Sequence, residues 1–504
     1  MGDRRSAAGF LSAVTDEGSL RVWDDDVVAG DPLGFSDTRR YPERLAAATE
    51  RSGARESVLT GRARVGGHDT AVIAGDFCFL AGTMGLAAAE RIVRAFERAG
   101  SARLPVLGMP VSGGTRMQEG SLAFVQMAEV AAAASRFRAI GLPYVVYLRH
   151  PTTGGVLASW ASLAHVTLAE PGALIGLTGP RVIRLLEAKP LPAGVQTAEH
   201  LRAHGLVDDV VGVSGVAERF AAVARAASAR TPTPAGPAPA VLPADAQVDA
   251  WEAVTRSRRT DRPGIRELLG ACATDVTPLR GDGAGNDDPG CLALLARVGG
   301  VGVVIVGHDR PPGQRGVRLA AAGQRKARRA MLLAGELGLP LVTIIDTAGG
   351  VSTREAEEGG LAAEVARCLA VMSALPVPTL SLLLGEGTGA AAIALLPADR
   401  IVAAEHAWLA PISPEGAAVI LHRTTERAPE LAGAQAIVST ELRRWGIVDV
   451  VVPDRPPPGE AGEVFGARIA ATAAHELRVL IERDQDERLR ERRLRFRRLC
   501  AAVT

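Results

Sequence analysis

Apolar residues fall in short runs that alternate with alanine-rich, helically spaced stretches, the pattern of strands feeding helices across a mostly parallel sheet. In the first half, RLPVLGMPVSGG predicts a strand ending at Gly113 and Gly114; the helical SLAFVQMAEVAAAASRF and the strand LPYVVYL follow. In the second half, LPLVTIIDTAGG predicts a strand ending at Gly349 and Gly350, then the helical GGLAAEVARCLAVMSAL and the strand VPTLSLLL. The order of elements recurs. Between the halves, the Pro/Ala-rich ARTPTPAGPAPAVLPADAQ reads as a linker over 229–247, giving domains at 1–228 and 248–504.

Spacing sharpens the repeat. Gly113-Gly114 stands 41 residues before Gly154-Gly155, and Gly349-Gly350 stands 41 before Ala390-Ala391. The second turns, HPTTGGVLASWA and GEGTGAAAIALL, each pass from a strand into a small-residue helix. For a single Gly pair, close helix–strand packing explains the glycines; four corresponding turns at matched spacing favour a duplicated functional unit.

Composition adds few constraints and several exclusions. The chain has 504 residues, 47% hydrophobic and 22% charged, enough for more than one substantial core. Lys+Arg 57 against Asp+Glu 56 argues against nucleic-acid binding by global charge. Only Lys189 and Lys326 are lysines, so the positive complement is almost all arginine, suited to bidentate contacts or a reflection of genome composition. Five scattered cysteines, 78, 272, 291, 368 and 500, form no CxxC pair, so neither zinc ribbon nor disulfide framework is expected and a reducing cytosol fits. The start of the chain lacks a signal-peptide apolar core. The charge-free stretches His150–Ala169 and Cys368–Gly385 are broken by Gly and Pro and read as buried strands and turns, not membrane spans.

GxSxG, HExxH and GxxxxGK[ST] are all missing, which removes the common hydrolase, metalloprotease and phosphate-loop templates. What remains is chemistry by backbone amides. A strand-to-helix turn of small residues leaves N–H groups unpaired, and two such turns facing each other make an oxyanion hole. One donor in such a hole contributes about 3 kcal/mol of transition-state stabilisation. Forming an enolate from a thioester suits a hole of this kind, and two holes suggest two oxygens.

At this point the residues resemble a family. DEGSL, DPLGFSDTRRYPERL, AGTMG, SGGTRMQEG, RAIGLPYVVYLRHPTTGGVLAS and AEPGALIGLTGPRVI, spanning Phe10 to Val213, look like the beta carboxyltransferase subunit of bacterial acetyl-CoA carboxylase. AWEAVTRSRRTDRPGIRELL, VGHDR, IDTAGG, LLGEGTGAAAIALLPADRIV, ISPEGAAVIL and WGIVDVVVP are similar to its alpha subunit. The chain therefore resembles a fused beta-alpha carboxyltransferase. This implies an α/β fold of two tandem crotonase-like domains, each a spiral of ββα units, the first for acyl-CoA and the second for biotin.

The resemblance implies transfer of a carboxyl group from carboxybiotin to acetyl-CoA, giving malonyl-CoA for fatty acid or polyketide synthesis. Biotin would arrive on a separate carrier: Lys189 in EAKPLP and Lys326 in QRKARR lack the methionine-flanked attachment signature. A biotin carboxylase and a biotin carboxyl carrier protein are the implied partners, with no nucleic acid and no membrane. Gly113, Gly114, Gly154 and Gly155 would hold the thioester oxygen as it becomes an enolate. Gly349 and Gly350 with Ala390, Ala391 and Ala392 would hold the ureido oxygen of biotin, whose freed nitrogen takes the alpha proton. Arg116, Arg181, Gly179 and Thr153 are the implied substrate-binding residues, with a structural contact as the alternative for each arginine. The family's site lies between the first half of one chain and the second half of another, implying a homodimer or larger ring.

Three departures qualify the carry-over. No four-cysteine zinc ribbon precedes Phe10, so no zinc or other metal is expected. The family's GGSGGALA reads GTGAAAIA, placing Ala390 and Ala391 at expected glycines, where positive φ would strain them. The family's IDTPGAYPG reads IDTAGGVST, and His150 replaces an aspartate. His150 reads as a strand-end residue bonded to backbone, the cluster Arg325, Arg328, Arg329 as a solvated helix face, and the basic C-terminal stretch as a helix closing the second half. The alternatives are a carboxyltransferase for propionyl-CoA or another acyl-CoA, and a non-catalytic scaffold.

Overall fold

The computed structural model describes residues 6–186, 191–233, 240–310, 316–454 and 462–501. Lys189 and residues 234–239 of the Pro/Ala-rich stretch lie outside them. The chain divides into two compact units, Met1–Ala227 and Ser228–Thr504.

The first unit is built on one sheet in the order Arg21–Trp23, Val58–Val65, His68–Gly75, Val106–Met109, Tyr144–Leu148, Val166–Ala169, Asp209–Val210. The first two pairings are antiparallel and the next four parallel. The antiparallel hairpin turns on Gly66-Gly67, both at positive φ, as a two-residue loop of matching twist requires. The helix Leu86–Ser101 covers the sheet because Ala88, Ala89, Ile92, Ala95, Phe96 and Ala99 recur on one face. Phe96 and Phe137 pack edge-on against Tyr144, with ring centroids 5.2 and 6.4 Å away, and the Tyr144 hydroxyl donates to Trp160 O at 2.7 Å.

The second unit repeats this plan. Its sheet runs Ala273–Pro278, Cys291–Val298, Val301–His308, Leu341–Thr347, Thr379–Thr388, Arg400–Ala404, Val450–Val452, with Trp408–Ala410 paired off this path to Thr379–Thr388. Again two antiparallel pairings precede four parallel ones, and the hairpin again turns on a positive-φ pair, Gly299-Gly300. Described parts of the Pro/Ala-rich stretch bond to this unit: Gly302 N–H donates to Ala229 O, Thr233 N–H to Gly299 O and Leu242 N–H to Val451 O. Of the second charge-free stretch, the start is helical, since the helix Leu361–Ala374 includes Cys368.

The basic C-terminal segment forms the helix Gln485–Arg495, which docks through arginines. Arg492 forks onto both oxygens of Asp399 at 2.7 and 2.6 Å and donates to the carbonyls of Met372, Leu375 and Val377. Arg488 adds Asp399 and Pro376 O, and both arginines are buried. Among the described residues, no helix is long and apolar enough to cross a membrane, and Cys78, Cys272, Cys291 and Cys368 are free thiols.

Candidate active site

In the first unit, the chain leaves strand Val106–Met109 through Ser112, Gly113, Gly114 and Thr115, and its amides are almost all engaged. Gly113 N–H donates to Ala81 O, Arg116 N–H to Met84 O, and Met84 N–H to Gly114 O. The Ser112 hydroxyl closes the turn, accepting from Gly114 N–H at 3.0 Å and donating to Gly114 O at 3.2 Å. Thr115 N–H is left without an acceptor among the described residues. The second turn follows the short strand Thr152–Thr153, which pairs with Ile175–Gly176 and is bridged to Ser112. Gly154 N–H donates to Leu177 O at 2.9 Å, leaving Gly155 N–H without an acceptor among the described residues. The turns touch: a Cβ on Gly154 would stand 2.8 Å from Gly114 Cα, and one on Gly155 would stand 2.8 Å from Thr115 Oγ1. Two spare donors thus lie on adjoining backbone, as an oxyanion hole requires.

The second unit builds the same device. Thr347 Oγ1 accepts from Gly349 N–H at 3.0 Å and lies 3.1 Å from Gly349 O. Ala348 N–H and Val351 N–H donate to Val317 O and Leu319 O, and in this parallel ladder Gly350 N–H faces away from Arg318–Leu319, unclaimed by the described residues. At the second turn the short helix Gly389–Ile393 begins, and its first-turn amides lack intrahelical partners.

Backbone angles fix the register of the repeat and correct the one expected from glycine spacing. Gly114 has φ +118° and Gly349 +113°; Gly154 has φ +66° and Gly389 +68°. Gly113 therefore corresponds to Ala348, Gly114 to Gly349, Thr115 to Gly350 and Gly155 to Ala390. The residue that must be glycine is Gly389, which the sequence reading passed over, and it is glycine. Ala390, Ala391 and Ala392 all avoid positive φ, so the expected strain is absent. Ala390 is exposed beside the turn, whereas the side chains of Ala391 and Ala392 are buried in the core.

Gly349, Gly350 and Gly389 line a cavity of about 560 Å³ together with Arg258, Arg318 and Glu386. Arg258 clamps Glu415 through two nitrogens, at 2.6 and 3.1 Å, reaches Glu386 at 3.4 Å, and lies over the Trp408 ring. Burial raises the pKa of Glu386, and Arg258 opposes that shift. Glu386 lies near the end of the buried strand Thr379–Thr388, beyond its apolar run, so periodicity gives no signal for it.

Several expected binding residues have structural employment instead. Arg116 is fully buried: it pairs with both Glu56 oxygens and donates to Glu119 at 3.2 Å, Ser57 at 3.0 Å and Thr83 O at 2.7 Å. Tyr41 donates to the same Glu119 at 2.6 Å. This guanidinium has no capacity left for a substrate; it ties together the segments that carry Glu56, Thr83 and Glu119, just after the Gly113-Gly114 turn in sequence. Thr153 is likewise buried, with its hydroxyl donating to Ser112 O. Arg181 is exposed on the helix Pro180–Leu186, with Gly179 just before it, so these two stay available. His150 Nδ1 accepts from Leu174 N–H, a backbone contact. Arg325 and Arg328 pair with Asp282 and Glu364, and Arg329 donates to Arg280 O, so the run is anchored and not merely solvated. Among the described residues, one group stands at metal-ligand distance, Glu405, His406 and Asp454. Its members bond one another: His406 Nδ1 to Asp454 at 2.5 Å, and Asp454 N–H to Glu405.

Residues 244–500 match the family model described as acetyl co-enzyme A carboxylase carboxyltransferase-like. The probable biotin-dependent acyl-coenzyme A carboxylase beta3 subunit of Mycobacterium tuberculosis is 49% identical over 488 residues, 97% of each chain. The acetyl-coenzyme A carboxylase carboxyl transferase subunits beta/alpha of Salinispora arenicola are 39% identical over 520 residues, 99% of this chain and 91% of that one. The transcarboxylase 12S structure has a TM-score of 0.73 at 21% identity, covering 96% of this chain and 93% of its own. That likeness extends the crotonase-like fold to both units here. With amide-only turns, a duplicated unit and relatives along its whole length, the chain belongs to the carboxyltransferase family of biotin-dependent acyl-CoA carboxylases.

Proposed function

We propose that this protein is the acetyl-CoA carboxylase carboxyltransferase, converting acetyl-CoA to malonyl-CoA. The observation that carries the reading is the doubled turn pair, with the same hydroxyl clamp, φ angles and leftover amides in each unit. Thr115 and Gly155 N–H hold the thioester oxygen of acetyl-CoA and stabilise the charge it gains as the enolate forms. Gly350 and Ala390 N–H hold the ureido oxygen of biotin, in a cavity roomy enough for a bicyclic ring. Biotin, when bound, supplies the carboxyl group and a ring nitrogen able to take the alpha proton, which accords with turns that contain no side-chain base.

The first unit is the acyl-CoA side and the second the biotin side, with biotin arriving on a carrier protein loaded by a separate biotin carboxylase in the cytosol. The protein self-associates. Each unit exposes large apolar side chains near its turns, Met117, Leu122, Phe124 and Val125 in the first and Ile412, Val419, Ile420 and Leu421 in the second, which is the kind of surface that supports this reading. A scaffold role loses its support once Gly389, and not Ala390, is the residue at positive φ.

The test is the reverse reaction on the purified protein: malonyl-CoA or methylmalonyl-CoA with biocytin, following release of acetyl-CoA or propionyl-CoA. Preference for malonyl-CoA supports the acetyl-CoA assignment. Preference for methylmalonyl-CoA moves it to propionyl-CoA, and absence of both, from folded protein, overturns the reading.

A further inference from the structure

Glu386 stands on the wall of the second-unit cavity with half of its carboxylate unused. Its Oε1 lies 3.4 Å from Arg258 and accepts from Thr388 Oγ1 at 3.3 Å. Its Oε2 takes no hydrogen bond from the described residues, and the side chain is only 6% exposed. That oxygen points toward Gly316 and Ala348, beside the Gly349-Gly350 amides: a Cβ on Gly316 would stand 3.6 Å from Oε2 and 3.2 Å from Ala348 Cβ. A carboxylate is acceptor-only when ionised, so an N–H donor entering the cavity that Glu386 lines is the natural complement of this oxygen.

The cavity thus offers two backbone N–H donors and one carboxylate oxygen that the described residues leave unused. A carbonyl flanked by an N–H is the group that matches both, and a cyclic urea presents it on a rigid ring. We infer that Glu386 Oε2 accepts the hydrogen bond of the ureido N–H of biotin that does not carry the transferred carboxyl group. The inference rests on the proposed function and adds a residue that fixes ring orientation. With the carbonyl held by amides and one nitrogen held by Glu386, the other nitrogen and its carboxyl group are turned away from the like-charged carboxylate.

The experiment uses the full chain and two probes, biocytin and biotin methylated at N3′, the nitrogen remote from the transferred carboxyl group, in calorimetric or saturation-transfer binding assays. In the unaltered protein, biocytin should bind about tenfold or more tightly than the methylated probe. E386Q should weaken biocytin about tenfold and abolish the discrimination, while KM for malonyl-CoA in biocytin-dependent decarboxylation stays unchanged. Equal affinity of the unaltered protein for both probes overturns the assignment, as does discrimination that persists in E386Q. The first result needs no variant and stands if E386Q fails to fold. Absence of biocytin binding and turnover in the unaltered protein would instead overturn the proposed function, and this assignment with it.

Discussion

Gly154 is seated against Gly114 so closely that a single added methyl would come within 2.8 Å of the Gly114 Cα, while its φ of +66° already disfavours any side chain. The Cβ position is fixed by the backbone that bears it and Gly114 Cα is itself backbone, so neither can swing away. Gly154→Ala should cost about 2 kcal/mol or more of stability. By displacing Gly155 N–H it should lower kcat of malonyl-CoA decarboxylation about a hundredfold or more. Urea melts and kinetics on the same preparation separate the two effects.

The corresponding position in the second unit is Gly389, where, among the described residues, a Cβ would meet only Pro411 O, at 3.4 Å. Gly389→Ala should therefore cost backbone strain alone, about 1–2 kcal/mol, and weaken biocytin-dependent turnover while acyl-CoA binding survives. Ala390→Gly, at an ordinary φ, should change stability by less than about 1 kcal/mol and activity by a few-fold at most. If Ala390 proved the sensitive position instead, the register assigned to the repeat would be wrong.

Arg116 separates a brace from a ligand. Removing it in Arg116→Met leaves Glu56 and Glu119 buried together without their cation, a change that costs about 3–5 kcal/mol. Denaturation should detect this loss directly. A phosphate ligand would give the opposite pattern, a raised KM for acyl-CoA at nearly unchanged stability.

His308 sets an acid limit on the second unit. Burial pushes its pKa down to about 4, Nδ1 accepts from Asp346 N–H, and Nε2 has no partner among the described residues. The unfolded chain, with a pKa of about 6.5, binds the proton more readily, so stability is full above that pH and falls between about 6.5 and 4. The shift corresponds to up to about 3 kcal/mol. His308→Gln should flatten this part of the stability–pH curve; a wild-type curve that is flat from pH 7 to 4 would contradict the assignment.

Strands, helices and the duplication were legible because apolar runs and alanine-rich helices alternate twice in one order. The register was not, since Gly113-Gly114 and Gly349-Gly350 look alike as letters and only φ tells which member of each pair is turned. Arg116 misled because its main partner, Glu56, lies 60 residues earlier in sequence, where no local pattern links them. Glu386 was invisible for the converse reason: an acid at the end of a buried strand reads as an interruption until the cavity beside it is seen.

The docking of Gln485–Arg495 gives the arginine-rich composition a second meaning. Arg492 serves one carboxylate and three carbonyls at once from a planar five-donor head, and an ammonium with three donors on a point charge could not reach all of them. Replacing such arginines by lysine would keep every formal charge and still unfasten the helix. The near balance of acids and bases is therefore no sign of electrical quiet; much of the charge is spent inward, as mortar.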